Sequence, residues 1–165
     1  MKKIITLFLL SLTGIAQAQA YEGKGDAKFD VGANIQNGGT GIRISTDYGL
    51  GENMSYGFVT SYLLSVDKNT LGEIPAFKDR FDAKIRFNAN LGNVFQLDEK
   101  MDIYPGLDLG LKNFGAHLGF RYFITDGFGL FTEAGFPIAK YDNTTTGFEH
   151  LNNQFVFNIG ASFNL

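Results

Sequence analysis

The stretch RFDAKIRFNANLGN, residues 80–93, decides the fold. Taken every second residue, Phe81, Ala83, Ile85, Phe87, Ala89 and Leu91 fall on one side, and Arg80, Asp82, Lys84, Arg86, Asn88 and Asn90 fall on the other. Alternation of this kind is a β-strand with two unlike faces. A soluble sheet would turn the phenylalanines to its interior, whereas a barrel in lipid would turn the arginines there.

The same alternation recurs along the chain and predicts strands near 27–36, 41–50, 55–66, 80–91, 101–112, 114–125, 129–140 and 154–165. They run about 10 to 12 residues, longer than the usual 5 or 6 of soluble sheets and near the roughly 9 to 11 that cross a bilayer at a tilt. The connectors GLGENM, GNVFQLDEK and TDGF would share one end. NGGT (37–40), DKNTLGEIPAFKD (67–79), the reversal at Lys112-Asn113 and DNTTTGFEHLNN (142–153) would share the other. This is an up-and-down meander with both chain ends on the short-turn side.

Three observations orient the faces. Across the eight segments one face carries 34 large apolar or aromatic residues, and the other carries 13 charges, among them Lys28, Asp30, Arg43, Asp47 and Asp102. An eight-stranded barrel has an interior just wide enough for side chains to fill, so that many bulky residues belong on the circumference. Gly32, Gly57, Gly106, Gly110, Gly119, Gly135 and Gly160 also lie on the charged face, where they would make room beside Arg, Tyr and Phe in a narrow lumen. The expected fold is therefore all-β, an eight-stranded antiparallel up-and-down transmembrane barrel with polar side chains inside.

The chain opens MKKIITLFLLSLTGIAQAQA, in which Lys2 and Lys3 precede a short apolar run and small residues close the segment. That is the pattern of a secretory signal peptide over residues 1–20, with cleavage after Ala20 or Ala18. Residues 21–165 would then be one barrel domain. Without Lys2 and Lys3, 12 Lys and Arg face 17 Asp and Glu, so the mature charge is near −5 and nothing invites a nucleic-acid partner. An exported chain with no cysteine has no disulfide and no thiolate chemistry.

The last strand, QFVFNIGASFNL, keeps its alternation to the final residue, with Phe157 and Phe163 in phase and Leu165 at the end. It resembles the C-terminal signal of bacterial outer-membrane barrels, which implies recognition by the barrel assembly machinery. Together with the signal peptide and the strand count, residues 21–165 resemble the small OmpA/OmpX-type barrels. The segment LGLKNFGAHLGFRYFITDGFGLFTEAGFPIAKYD, residues 109–142, is similar to a domain-of-unknown-function family of Bacteroidota outer-membrane barrels. The resemblance implies the outer membrane of a Gram-negative bacterium and supplies no activity.

Charges in a closed lumen must pair, because an unpaired buried ion costs several kcal/mol. Matching depth along the strands predicts one structural network of Arg86, Asp108, Arg121 and Glu133, with Lys84 and Asp82 above it toward the long loops and Tyr104 below. His117 would face the lumen near the outer end and join the polar network, and His150 lies beside Glu149 in the last long loop. A lone loop histidine is ordinarily a solvated surface residue, so no catalytic, cofactor or metal residue is expected. Asp142 and Glu149 make no more than a weak cation motif. Tyr48, Tyr56, Phe81, Tyr122 and Phe155 would form interfacial girdles, and Phe87, Leu107, Leu109, Leu118 and Phe120 a hydrocarbon belt.

The functional expectation is a monomeric, non-enzymatic barrel contacting outer-membrane lipid. Its role would be structural, or would run through the loops 67–79 and 142–153, with Ile74, Pro75, Phe77 and Phe148 as anchors. The alternatives are a rim enzyme acting on lipid, a narrow channel, and a soluble lipocalin-like periplasmic barrel that binds an apolar ligand.

Overall fold

The computed structural model describes residues 19–68, 72–141 and 147–165. The expected signal peptide lies outside these except for Gln19 and Ala20, as does the tip of the last long loop.

Eight strands form: β1 (Ala27–Gln36), β2 (Gly39–Gly49), β3 (Met54–Val66), β4 (Phe81–Ala89), β5 (Met101–Gly110), β6 (Asn113–Thr125), β7 (Phe128–Lys140) and β8 (Val156–Asn164). Each pairs antiparallel with its sequence neighbour, and β1 pairs with β8, from Lys28 opposite Asn164 to Gln36 opposite Val156, which closes the barrel. The fold is the expected eight-stranded antiparallel up-and-down transmembrane barrel. Closure matters physically because it leaves no strand edge with unpaired backbone groups, which lipid does not tolerate.

The strand ends fall within two residues of the sequence reading, and two of the shifts have a visible cause. β4 starts one residue late because Phe77–Arg80 form a single helical turn, here α1, in which Asp79 Oδ2 accepts the Ala76 N–H at 2.9 Å. β5 stops at Gly110 because Leu111 and Lys112 are needed to reverse the chain.

The charged face is inside. Arg43, Arg86 and Arg121 are at most 1% exposed, while Phe58, Leu118 and Ile85 on the opposite face are more than half exposed. A soluble barrel would have these numbers reversed. Two aromatic residues, Phe123 and Phe131, also point inward, and both are fully buried.

Candidate functional site: the lumen network and its two caps

The lumen is filled by one connected set of ion pairs at mid-barrel. Glu133 on β7 accepts from Arg43 Nη2 on β2 with both carboxylate oxygens (3.0 and 2.9 Å) and from Arg86 Nη2 on β4 at 2.7 Å. Arg86 Nε lies 3.5 Å from Asp47 on β2, and Asp47 in turn pairs with Arg121 on β6. Arg121 also donates to Asp30 on β1 at 2.8 Å. Ser45 and Ser162 hydroxyls donate to the same Asp30 at 3.1 and 2.6 Å. Forked guanidiniums suit this task because each can serve two acids at once.

Asp108 joins the set through a histidine. Arg86 Nη2, which can only donate, stands 2.7 Å from His117 Nε2, so that nitrogen accepts and the ring proton sits on Nδ1. Nδ1 then donates to Asp108 Oδ2 at 3.0 Å. Asn88 Oδ1, 2.9 Å from the same Nε2, takes a hydrogen bond from Arg86 Nε at 3.1 Å.

Of the residues singled out from sequence, Arg86, Glu133, Arg121 and Asp108 thus share one network, although Asp47 and His117 make the links between them. Lys84 stands apart: it is 3.7 Å from Asp82, toward the long-loop end, and its side chain is 22% exposed. Its place is a rim pair and no part of the central lattice. Arg43, Asp47 and Asp30, placed on the inner face by the parity of each along its strand, belong to the same network, and His117 is its link to Asp108.

Aromatic rings fill the remaining lumen. Tyr104 packs with its ring centroid 4.1 Å from the Arg121 guanidinium carbon and 5.6 Å from that of Arg86. Phe131 and Phe123 do the same for Arg43 (5.2 Å) and Lys28 Nζ (5.4 Å). Such contacts favour a cation that has left water. Gly119 makes the space for Tyr104, because a Cβ there would lie 2.0 Å from the ring. Gly119→Ala is therefore expected to destabilise the barrel by about 1 to 3 kcal/mol, as overpacking does. Tyr104→Leu in the same chain should recover part of that loss in urea unfolding; an unperturbed single variant would contradict the packing described.

Both ends are capped. At the long-loop end Phe148 and Leu151 turn into the mouth against Leu63 and Val66. Asn152, at φ 58°, donates its N–H to Gln36 Oε1 (2.7 Å) and its Nδ2 to Arg80 O (3.1 Å). Lys112 Nζ reaches Leu151 O and Asp79 O at 3.2 and 2.7 Å. Beneath this cap a cavity of about 40 Å³ lies among Arg43, Asp82, Lys84 and Asp108. That is room for roughly three waters. The expectation that Pro75 and Phe148 stand ready for a partner is corrected here, since both are buried. Phe148 is drawn inward because Leu63 faces the lumen and needs an apolar cover.

At the short-turn end the Tyr21 hydroxyl shares its proton between Gly51 O and Met54 O (2.7 and 2.6 Å). Burial, reinforced by Asp26, pushes the Tyr21 phenol up to about 12. The folded chain therefore keeps a proton that the unfolded chain releases near pH 10. The stabilisation tied to this phenol is full below that pH and is lost as pH rises through about 12. Urea unfolding at about pH 9 and about pH 11 should show the parent losing its advantage over Tyr21→Phe. An equal advantage at both would contradict the assignment.

Among the described residues no group of three or more His, Asp or Glu is placed to hold a metal ion. His150 lies in the last loop beside Gly38.

The architecture has solved counterparts. The N-terminal β-barrel domain of Pseudomonas aeruginosa OprF is similar at a TM-score of 0.61 and 9% identity, covering 87% of this chain and all 100% of that one. A barrel from the de novo design of transmembrane β-barrels is similar at a TM-score of 0.59 and 10% identity, covering 87% of this chain and 98% of that one. Identity this low concerns the fold alone. No curated protein matches the sequence. Residues 11–165 match the model of a family of unknown function, DUF6646, and the chain belongs to that family.

Proposed function

We propose that the protein is a small outer-membrane barrel that works as a closed, non-enzymatic structural element. The observation that carries this reading is the filled lumen: three fully buried arginines on β2, β4 and β6 paired with Asp30, Asp47 and Glu133 on β1, β2 and β7, and through His117 with Asp108 on β5, with a cap at each end. The OprF-like fold supports an outer-membrane location, and a source among Gram-negative Bacteroidota rests on the sequence resemblance of residues 109–142 alone. Residues 1–20 would act as the export signal, and the C-terminal strand β8 would be the handle for the assembly machinery. The barrel would stand as a monomer in lipid, and any surface partner would meet the exposed parts of 67–79 and 142–153.

A channel needs a continuous wet path, and conducting barrels commonly use roughly 16 or more strands. Here a salt-bridge lattice occupies the lumen at mid-barrel, where such a path would run. Planar-bilayer recording of the purified protein is therefore expected to show no stable unitary steps. Reproducible steps that vanish when the protein is omitted would overturn the closed-barrel reading in favour of the narrow channel.

A further inference from the structure

We infer that the segment 72–80 between β3 and β4 is a lipid-embedded element of the barrel wall, with Ile74 and Phe77 inserted among acyl chains. The inference rests on the membrane reading above and reassigns two residues otherwise available to a partner in solution.

The turn α1 is held from the lumen side. Lys112 Nζ donates to Asp79 O at 2.7 Å, Asn152 Nδ2 donates to Arg80 O at 3.1 Å, and Pro75 is buried. Those ties leave the other side of the turn facing outward. There the Phe77 ring stacks on Phe81 (centroids 5.4 Å, planes 15° apart) and packs against Tyr62 at 5.5 Å. Tyr62 and Phe81 are cross-strand partners on the outer wall of β3 and β4. Phe77 thus adds a third ring to a surface that already faces lipid.

The patch adjoins the wall where the β3–β4 pairing ends at Tyr62 and Phe81. Leu64 lies two residues above Tyr62 on the same face, and Leu111 donates its N–H to Ala83 O, beside Phe81. Leu64, Ile74, Phe77 and Leu111 are 61 to 69% exposed, among the largest exposures of any bulky apolar residue in the described chain. A crest of that size at the water surface would be an aggregation or binding liability, whereas at the top of a hydrocarbon belt it needs no protein cover. Lys78 in the same turn is exposed, at the level where lipid headgroups would stand.

The chain has no tryptophan, so each introduced indole reports alone. Phe77→Trp, Ile74→Trp and Leu118→Trp would each be refolded into phosphatidylcholine vesicles, with and without lipids brominated close to the glycerol for the two loop variants and deep in the chain for Leu118→Trp. The inference expects blue-shifted emission and loss of most intensity to bromolipid for both loop variants, with Ile74→Trp guarding against damage to the ring stack. Leu118→Trp quenched while both loop variants emit as in water and yield to aqueous iodide would overturn the inference and leave the barrel in the membrane. All three unquenched by lipid would overturn the inference together with the membrane reading beneath it.

Discussion

Glu133→Ala should remove about 3 to 5 kcal/mol of stability, the range seen when one partner of a buried ion pair is deleted and the other is left without a counter-charge. The size follows from position. Glu133 is 5% exposed and bridges two guanidiniums, taking both Arg43 bonds and one from Arg86, so its loss leaves Arg43 without its carboxylate and Arg86 with Asp47 alone as counter-charge. Unfolding in urea, followed by far-ultraviolet circular dichroism in lipid or detergent, measures the change. Glu133→Gln keeps the volume and an acceptor, and should lose less. Since Arg43 and Glu133 act as one unit, Arg43→Met combined with Glu133→Gln should cost less than the sum of the single changes. Full additivity would mean that the pair is not coupled as the geometry describes.

The second large effect sits on the outside. Leu118, 54% exposed, is the sixth of thirteen residues in β6, near the middle of the wall, with Pro105 and Ala134 as its register partners. Leu118→Arg should impair folding into vesicles by about 2 to 4 kcal/mol, the cost of a cation at the bilayer midplane, while Tyr122→Arg, nearer the short-turn end, should cost on the order of 1 or less. The same change on a water-facing wall would be close to neutral. A Leu118→Arg chain that refolds into lipid as readily as its parent would reverse the assignment of faces.

The strands and their faces were readable in the sequence because a period of two residues sorts every side chain to one of two sides, and only one orientation gives the charges a set of partners. Arg86 and Phe87 are adjacent in the chain and lie on opposite sides of the wall, as their parity required. The aromatic residues Phe123 and Phe131 were overlooked because they are apolar, although Phe123 follows Arg121 by two and Phe131 precedes Glu133 by two. Parity should have outweighed polarity there, since a lumen cation gains from a ring beside it.

Cross-lumen partners were less legible. Depth along one strand says little about reach across the barrel, because the stagger between strands and the length of an arginine both shift the meeting point. Arg43 and Glu133 are 90 residues apart, on β2 and β7, and no local pattern joins them. Asp108 was expected at an arginine and instead meets His117, since the imidazole on the neighbouring strand is nearer and relays the contact to Arg86. Loops carry no parity at all. Composition marked Ile74, Pro75, Phe77 and Phe148 as apolar and sticky, but whether each turns to the lumen or to the wall depends on ties such as Lys112 to Leu151 that only the closed barrel creates.

The central claim is an inside-out barrel with a polar lattice within and lipid without. Membrane fractionation followed by electrophoresis of unboiled and boiled samples tests it most directly. The account predicts a protein found in the outer membrane, extracted only by detergent, whose mobility shifts on boiling as the closed barrel opens. A detergent-free soluble monomer with the same mobility before and after boiling would contradict it.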